Sequence, residues 1–443
     1  MNKDLLILGG GPAGMAAGYY AFKKGLTFSI IEASKEVGGN CKTLSMGNFK
    51  YDTGAHRLHN KDENVTHTIR SLLKNDIHKV STPSTIFWEN KRLAFPLELK
   101  SIINSVPLPI LLKIIAENVF KNFKRRSTHN NFKQYAYDIY GKTLSNLFLI
   151  NYTEKLWGEN TELLSSTVSG NRLKGLNFSS LFKSIFSKKN MNENHIDGSF
   201  YYPKDGFGSI FEALFSYVGK ENIFLKNQIS KIELISNNDY RISTKNGKVF
   251  HSKKIICTLP PNIYMNIIKP SPPLELIEIA NSLKFRSIRL SVIGLNREKF
   301  SDSASIYFPE KKYPFTRIYE PKNRSKHLAP KNQTCLVVEV PCFINDKIYK
   351  MKNETFNNYI NSFLFNEDLI LKDEILQQQS FFMEHAYPQQ LVKDNQIKKV
   401  ISFAQSLPGF AILGRNANFK YLHTHDLFNY AESCVDEMIS DLN

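Results

Sequence analysis

The chain has 443 residues, of which 42 % are hydrophobic, so it is long enough for two domains, because single hydrophobic cores stop growing at about 250–300 residues. No apolar run reaches the ~18 residues of a membrane-spanning helix and no cleavable apolar segment follows Met1, so we expect a cytoplasmic protein, not an integral membrane protein. Lys and Arg outnumber Asp and Glu by 58 to 41, but they are spread along the chain and accompany no nucleic-acid module.

The positive charge leaves three alternatives open. It fits a small-molecule substrate that is anionic, peripheral contact with an acidic membrane surface, or a basic surface without a partner. The five cysteines include no C-x-x-C spacing, which is typical of free thiols in a reducing compartment. The histidines show no metal-ligand spacing, so we expect no metal site, and the sequence predicts no oligomeric state.

The chain begins with a strand, a glycine turn and a helix. Residues 4–8 form an apolar run of strand length, and a G-x-G-x-x-G spacing follows before a helical pattern begins. In this spacing the first glycine allows a tight turn, the second lets backbone N–H groups approach a pyrophosphate, and the third lets the helix pack on the strand. The residues predicted to hold a dinucleotide are Gly9, Gly11, Pro12, Ala13 and Gly14.

A second apolar strand at residues 28–31 ends at Glu32, followed by Ala33. A carboxylate at this point accepts hydrogen bonds from the ribose hydroxyls of an adenosine and repels a 2′-phosphate. Two further glycine turns then bring more backbone N–H groups to a long ligand. Their candidate residues are Gly39, Asn40, Thr43, Gly54, Ala55 and His56.

These motifs resemble a known family. The pattern E-x-x-x-x-x-G-G-x-x-x-T followed by D-x-G-A-H resembles FAD-containing proteins of the amine oxidase and protoporphyrinogen oxidase superfamily. The combination of GGN with GAH-x-x-H is similar to the UDP-galactopyranose mutases of that superfamily. The resemblance implies that the cofactor is FAD.

Residues 85–96 read as two short strands, and the pattern becomes helical from residue 97. Prolines split this region, because proline removes a backbone N–H and clashes with the preceding turn. The piece at 110–123 is predicted to place Leu111, Leu112, Ile115, Val119 and Phe123 on one face. We favour packing of that face in the core over contact with a membrane.

The rest of the helical region resembles the same superfamily. The motif N-Y-T-E-K-L-W-G contains Trp157, which either stacks on a substrate ring or lies in the core, and Asn171-Arg172-Leu173 extends the likeness. Residues 187–197 are polar and predict a surface loop. The stretch F-Y-Y-P-x-x-G-x-G at 200–208 is similar to the segment where relatives return to the flavin domain.

We predict an α/β fold: a Rossmann-like, glutathione-reductase-like FAD-binding domain, a mixed α+β substrate domain and a helical insertion. The FAD-binding domain is discontinuous and comprises residues 1–96, 198–264 and 400–443. The mainly helical insertion covers 97–197, and the substrate domain covers 265–399. Strands are expected near 229–235, 239–244, 248–252, 287–295, 334–340 and 409–415, with a closing helix at 426–442.

Several site residues follow only from the resemblance. The backbone at Ile229 would meet the adenine, and Gly414 and Arg415 would lie by the flavin. Arg317, in P-F-T-R-I-Y-E, would face flavin and a substrate diphosphate, and Tyr421 would contact substrate. His56 either adjusts the flavin or contacts substrate, or is satisfied by local hydrogen bonds.

The leading hypothesis is an FAD-dependent oxidoreductase that passes a hydride from a small-molecule substrate to flavin N5, with His56, Arg317 and Tyr421 as the catalytic candidates. One alternative is a flavin-dependent mutase of a nucleotide sugar. Bacterial mutases have aspartate where this chain has His423, which ranks that alternative second. Another alternative is a flavoprotein without catalytic activity.

Overall fold

The structure is a computed structural model that describes residues 2–121, 129–169, 199–236, 239–392 and 396–440. The predicted polar loop at 187–197 and the motif Asn171-Arg172-Leu173 lie outside these ranges. Three large sheets, of five, five and seven strands, dominate the described chain.

The first sheet is parallel and has five strands. Its central strand is Leu5–Leu8, within the run at residues 4–8. All four side chains of this strand are apolar and buried, and a strand can bury side chains on both faces only where other layers cover both faces of the sheet. In spatial order the strands are Ile223–Phe224, Phe28–Ile31, Leu5–Leu8, Ile255–Cys257 and Phe410–Ile412. Segments more than 400 residues apart in the chain therefore meet in one sheet, as the Rossmann-like prediction requires.

Helices cover one face of the parallel sheet, and a second, five-stranded sheet covers the other. The helices are Pro12–Lys23, Glu63–Leu73, Ser209–Val218 and Thr424–Ser440. The covering strands, in spatial order, are Asn2–Lys3, Val249–Ser252, Asp239–Thr244, Ile229–Ser236 and Ile268–Lys269. Three further helices pack beside this second sheet: Pro261–Ile267, Leu274–Ser282 and Ile397–Gln405.

The seven-stranded sheet forms the substrate half. Its neighbours are antiparallel except for one parallel pair. In spatial order the strands are Ile375–Pro388, Phe285–Leu295, Thr334–Cys342, Arg317–Tyr319, Ser305–Tyr307, Ser84–Trp88 and Lys91–Phe95. The helix Asn353–Asn366 covers one face, with the short helix Lys347–Lys350 before it, and the hairpin Thr43–Met46 and Phe49–Asp52 covers the other.

The structure places one hairpin in a different domain from the one predicted. The other predicted domain boundaries stay predictions. We placed residues 1–96 in the FAD-binding domain, but the hairpin of Ser84–Trp88 and Lys91–Phe95 extends the seven-stranded sheet. Its strand Ser84–Trp88 pairs in parallel with Ser305–Tyr307, more than 200 residues later. Local sequence showed the hairpin but not the sheet that it joins.

The helical insertion packs against this added hairpin. Its α-helices are Leu99–Ser105, Leu108–Lys121, Phe132–Tyr140, Lys142–Ser145 and Asn151–Trp157, with a π-helical turn at Asn146–Ile150 and a 3₁₀ turn at Ser166–Ser169. The prolines do separate the first two helices. The strands Ile77–Val80 and Phe200–Pro203 pair where the chain leaves and re-enters the flavin half.

The predicted apolar face of Leu108–Lys121 is wrong in part. Leu111 is buried, but Leu112 and Val119 are 58 % and 52 % exposed. The buried face instead carries Leu111, Ile114 and Asn118, whose amide donates to the Ile114 and Tyr140 carbonyls. The sequence contains apolar residues on two sides of this helix, and tertiary packing selects one of them.

Candidate functional site

The first glycine turn has no space for side chains at two of its positions. A Cβ on Gly14 would lie 1.9 Å from the Gly9 carbonyl oxygen, and Gly9 itself has φ +106°. A Cβ on Gly11 would meet only the Gly39 Cα, at 3.9 Å. The backbones of the two glycine turns therefore approach each other across an open space suited to a pyrophosphate.

Glu32 lies at the carboxyl end of the strand Phe28–Ile31, as predicted. Its Oε2 accepts a hydrogen bond from the Gly10 N–H at 2.6 Å, and its Oε1 accepts one from the Ser34 N–H at 2.8 Å. A carboxylate has about four acceptor positions, so capacity remains for ribose hydroxyls. The two backbone bonds fix the orientation of the carboxylate beside the glycine turn.

One elongated cavity of about 370 Å³ connects the two halves of the molecule. It runs from the glycine turn and Glu32 to aromatic side chains of the substrate half. The predicted site residues that line it are Gly9, Gly11, Pro12, Ala13, Glu32, Gly39, Asn40, Gly54, Ala55, His56, Arg317, Gly414, Arg415 and Tyr421. Residues from three distant parts of the chain, 9–56, 317 and 414–421, are thus brought together.

Four predicted residues do not line this cavity. Gly14 is used for helix packing, and Ala33 follows Glu32 outside the lining. The Thr43 hydroxyl donates to Asp52 at 2.7 Å and accepts from the Gly208 N–H at 2.8 Å, which joins the hairpin of Thr43–Met46 and Phe49–Asp52 to the start of the helix Ser209–Val218. Ile229 begins the strand Ile229–Ser236 and is buried against the parallel sheet.

His56 lines the cavity and also makes local hydrogen bonds. Its Nε2 lies 3.0 Å from the Asn40 carbonyl oxygen, to which it donates, and its Nδ1 lies 3.9 Å from the Cys41 sulfur. Burial, with the positive charges of Arg324, Arg317 and Arg415, lowers the pKa of His56 to about 3. The imidazole is therefore neutral at physiological pH.

Cys41 also lines the cavity. Burial raises the pKa of its thiol to about 12, so the sulfur remains protonated and unreactive as a nucleophile.

Arg317 is held by an ion pair that the sequence prediction missed. Arg317 and Glu339 are directly opposite each other on adjacent antiparallel strands. The Arg317 Nε and Nη2 donate to the two Glu339 carboxylate oxygens at 2.8 and 2.9 Å. Glu339 Oε1 also accepts from the Ala55 N–H at 3.1 Å. The pair thus connects the substrate sheet to the glycine turn at Gly54, and most of the arginine charge is compensated there.

Arg415 contacts two aromatic rings. Its guanidinium lies 4.1 Å from the ring centre of Tyr421 and 4.7 Å from that of Tyr387. The two tyrosine rings are nearly parallel, with centres 6.0 Å apart. The Nε and Nη2 atoms of Arg415 are buried and have no hydrogen-bond partner within the described residues. Because buried guanidinium N–H groups require acceptors, these atoms are available to a bound ligand.

Two residues of this region were missed, although their signals are visible in retrospect. Glu339 is a single acid within an otherwise apolar strand, T-C-L-V-V-E-V-P-C, and an unpaired buried carboxylate is too costly to be accidental. Tyr387 lies on the strand Ile375–Pro388 and was not among the predicted site residues. Within the described residues no group of three His, Cys, Asp or Glu side chains is arranged to hold a metal ion. Among the helices of the described ranges, none combines the length and apolar character needed to cross a bilayer.

Comparison with known proteins decides the family. The model for flavin containing amine oxidoreductases matches residues 12–341, about three quarters of the chain. The chain belongs to this family. Its members contain flavin, and FAD is the cofactor here.

Solved structures show the same fold over the whole chain. A reduced UDP-galactopyranose mutase superimposes with a TM-score of 0.87 at 19 % identity, covering 99 % of this chain and 96 % of the other. A proposed protoporphyrinogen oxidase from Exiguobacterium has a TM-score of 0.79 at 16 % identity, with 98 % of each chain covered. These likenesses establish the Rossmann-like fold with its second domain.

Matches to curated proteins are short. A 4,4′-diapophytoene desaturase from Methylomonas is 36 % identical over 53 residues, which is 12 % of this chain and 10 % of that protein. This match spans too little of the relative to carry its activity to the present chain.

The described residues fit FAD in three respects. The two glycine turns leave backbone space where a side chain would intrude, Glu32 offers carboxylate oxygens at one end, and Arg415 offers unpartnered N–H groups at the other. An elongated dinucleotide fits an acceptor at its ribose end, open backbone at its pyrophosphate and donors at its ring end.

Proposed function

We propose that the chain is an FAD-dependent oxidoreductase that removes a hydride from a C–N or C–C unit of a small molecule in the substrate half. The observation that carries the proposal is the composition of the far end of the cavity. Apolar and aromatic side chains form most of its walls, including Ile288, Met383, Tyr307, Tyr387 and Tyr421. Bound FAD supplies a hydride acceptor, and the protein supplies binding and orientation.

The charged groups near this end have defined tasks. The Arg317–Glu339 pair is internally compensated, so it positions the loop of Ala55 without adding a large net charge. His56 is a neutral donor to the Asn40 carbonyl and holds the two glycine turns together. Arg415 packs against the Tyr387 and Tyr421 rings at the opposite end of the cavity from Glu32, and its Nε and Nη2 have no partner within the described residues. The apolar and aromatic side chains at this end support hydride transfer better than hydrolysis.

The test is an anaerobic titration of the purified holoprotein with amines, porphyrinogens and UDP-sugars. We expect one class of donor to bleach the oxidised flavin spectrum with saturation kinetics, and oxygen or another acceptor to restore it. Failure of every donor class to bleach the flavin would contradict the proposal.

A pair of variants sharpens the test. Tyr421→Leu removes a ring that lines the cavity, and Tyr430→Leu is the matched control, because Tyr430 is 54 % exposed on the helix Thr424–Ser440. We expect Tyr421→Leu to slow flavin reduction by about 10- to 100-fold while FAD remains bound, and Tyr430→Leu to leave the rate unchanged.

A second candidate is the rearrangement of a nucleotide sugar without net redox change. The whole-chain likeness to a UDP-galactopyranose mutase, with a TM-score of 0.87, favours it. Glu339 compensates the charge of Arg317, so a diphosphate would gain little from this arginine and would depend on Arg57 and Arg415, which also line the cavity. Formation of UDP-galactofuranose from UDP-galactopyranose by the dithionite-reduced protein would favour this candidate over the oxidoreductase.

A further inference from the structure

A second, smaller cavity lies next to the FAD cavity. We call it the side pocket; it has a volume of about 90 Å³ and lies between the helical insertion and the edge of the seven-stranded sheet. Phe95 and Tyr307 line both cavities, and their ring centres are 4.7 Å apart. The two rings therefore form the wall between the side pocket and the substrate end of the FAD cavity.

The side pocket differs from the FAD cavity in its chemistry. No Asp, Glu, Lys, Arg or His is among the described residues that line it. Carbon-rich side chains such as Phe148, Leu156 and Val168 make most of its surface, and Thr153 is one of few polar residues there. A sugar, or the polar edge of a nucleobase, bound in this pocket would lose hydrogen bonds to water and gain few in return.

The walls of the pocket are fixed by interactions outside it. The helix Asn151–Trp157 supplies several of them, and the Lys155 Nζ on this helix lies within hydrogen-bond distance, 2.6 to 3.2 Å, of four backbone carbonyl oxygens of residues 308–315. Arg286 donates to the Lys155 and Leu156 carbonyls, and the Gln389 amide donates to the Trp157 carbonyl. Walls held in this way do not close over the pocket by a small shift, so the lining atoms lack contacts with protein unless a ligand fills it.

We infer that the side pocket binds an apolar group of the substrate, a single ring or a short branched hydrocarbon, while the reacting carbon lies beyond Phe95 and Tyr307 in the FAD cavity. This inference rests on the proposed function and adds the substrate class. The substrate is then an amphipathic molecule whose polar, reacting end faces the flavin and whose apolar end is selected by the pocket. Such a pocket discriminates between donors by about 10- to 200-fold for each methylene that it accepts or lacks.

A tryptophan of the chain can report whether the side pocket is occupied. The chain has two tryptophans, and Trp157 lines the side pocket, whereas Trp88 is a core residue 5.6 Å from Phe148. In a Trp88→Phe background the tryptophan fluorescence therefore comes from Trp157 alone. We would titrate the oxidised holoprotein with nitrobenzene, a flat apolar quencher, and then displace it with toluene or with uridine.

Two substitutions separate the side pocket from the FAD cavity. Val168→Phe fills the side pocket, because Val168 lines it and does not line the FAD cavity. Leu108→Phe is the matched control, since Leu108 is 65 % exposed and lines neither cavity. FAD content and the melting temperature are measured for both. If Val168→Phe does not fold, Leu97→Phe, at a half-buried lining position, replaces it.

We expect saturable quenching that toluene reverses and uridine does not, with an apparent Kd at least tenfold higher in Val168→Phe and unchanged in Leu108→Phe. Quenching that rises linearly without saturation, equal quenching in the two variants, or displacement by uridine as readily as by toluene would overturn the inference. No turnover is needed, so the result is distinguishable from the titration with electron donors. Nitrobenzene binding in a protein whose flavin no donor reduces would contradict the proposed function and leave the pocket assignment standing.

Discussion

The two halves of the elongated cavity are built in different ways. At the cofactor end, backbone groups of glycine turns and one carboxylate form the site, and most of them lie within the first 56 residues. At the substrate end, side chains from distant strands and helices converge, and Arg317, Tyr387 and Tyr421 are examples. A cofactor common to many enzymes is bound by local backbone geometry, whereas a particular substrate requires side chains that only the complete fold brings together.

The largest expected effect is a loss of stability in the substrate half. Glu339→Ala leaves the buried Arg317 charge without its partner, and we expect a loss of about 3–5 kcal/mol in the free energy of unfolding. Denaturant titration measures it. The control is Glu275→Ala, whose ion pair with Lys399 is exposed and should be worth at most about 1 kcal/mol. The double variant Arg317→Met/Glu339→Leu should recover most of the loss, and equal stability of Glu339→Ala and wild type would contradict the assigned ion pair.

The next largest expected effect is a loss of FAD binding and stability in the cofactor half. Gly14→Ala places a Cβ 1.9 Å from the Gly9 carbonyl oxygen, which forces the strand and helix apart. We expect a protein without bound FAD and destabilised by about 3 kcal/mol, as seen by absorbance and thermal melting. Gly25→Asn is the control: Gly25 has φ +75° and open space around it, and Asn tolerates that conformation. A Gly14→Ala protein that retains stoichiometric FAD would refute the close packing.

A smaller effect is expected on FAD affinity at the adenosine end of the cavity. Glu32→Ala removes the acceptor for the Gly10 and Ser34 N–H groups and for ribose hydroxyls. Since a hydrogen bond to a charged group contributes about 1.5–3 kcal/mol, the Kd for FAD should rise by about 10- to 100-fold. Equilibrium dialysis of the apoprotein measures this Kd. Glu36→Ala, in a longer contact of 3.8 Å with Lys42, should change it little.

The smallest effect concerns pH. The pKa of His56 is lowered from 6.5 to about 3 in the folded protein, so its contribution to stability is present above pH 6.5 and is lost as pH falls toward 3. Between pH 7 and pH 5, the free energy of unfolding should therefore fall by about 1–2 kcal/mol more in the wild-type protein than in His56→Gln, because each pKa unit corresponds to about 1.4 kcal/mol. Urea titrations at the two pH values measure the difference. Identical pH dependence in the two proteins would show that His56 titrates normally.

Sequence reasoning reached the cofactor half because its signals are local. A strand, a glycine turn and an acid at the end of the next strand lie within 32 residues, and each has its own physical reason. The substrate half was reached only through the resemblance. The pairing of Arg317 with Glu339 depends on strand register, and the exposure of Leu112 depends on which side of its helix meets the hairpin Ser84–Trp88 and Lys91–Phe95. Neither is encoded in nearby residues.

The central claim is that one FAD lies in the cavity from Glu32 to Arg415. The most direct measurement is the visible spectrum of the purified protein, followed by denaturation and chromatographic identification of the released flavin. We predict a yellow protein with one FAD per chain. A colourless protein that binds no added FAD, or a protein that releases FMN instead, would contradict the account.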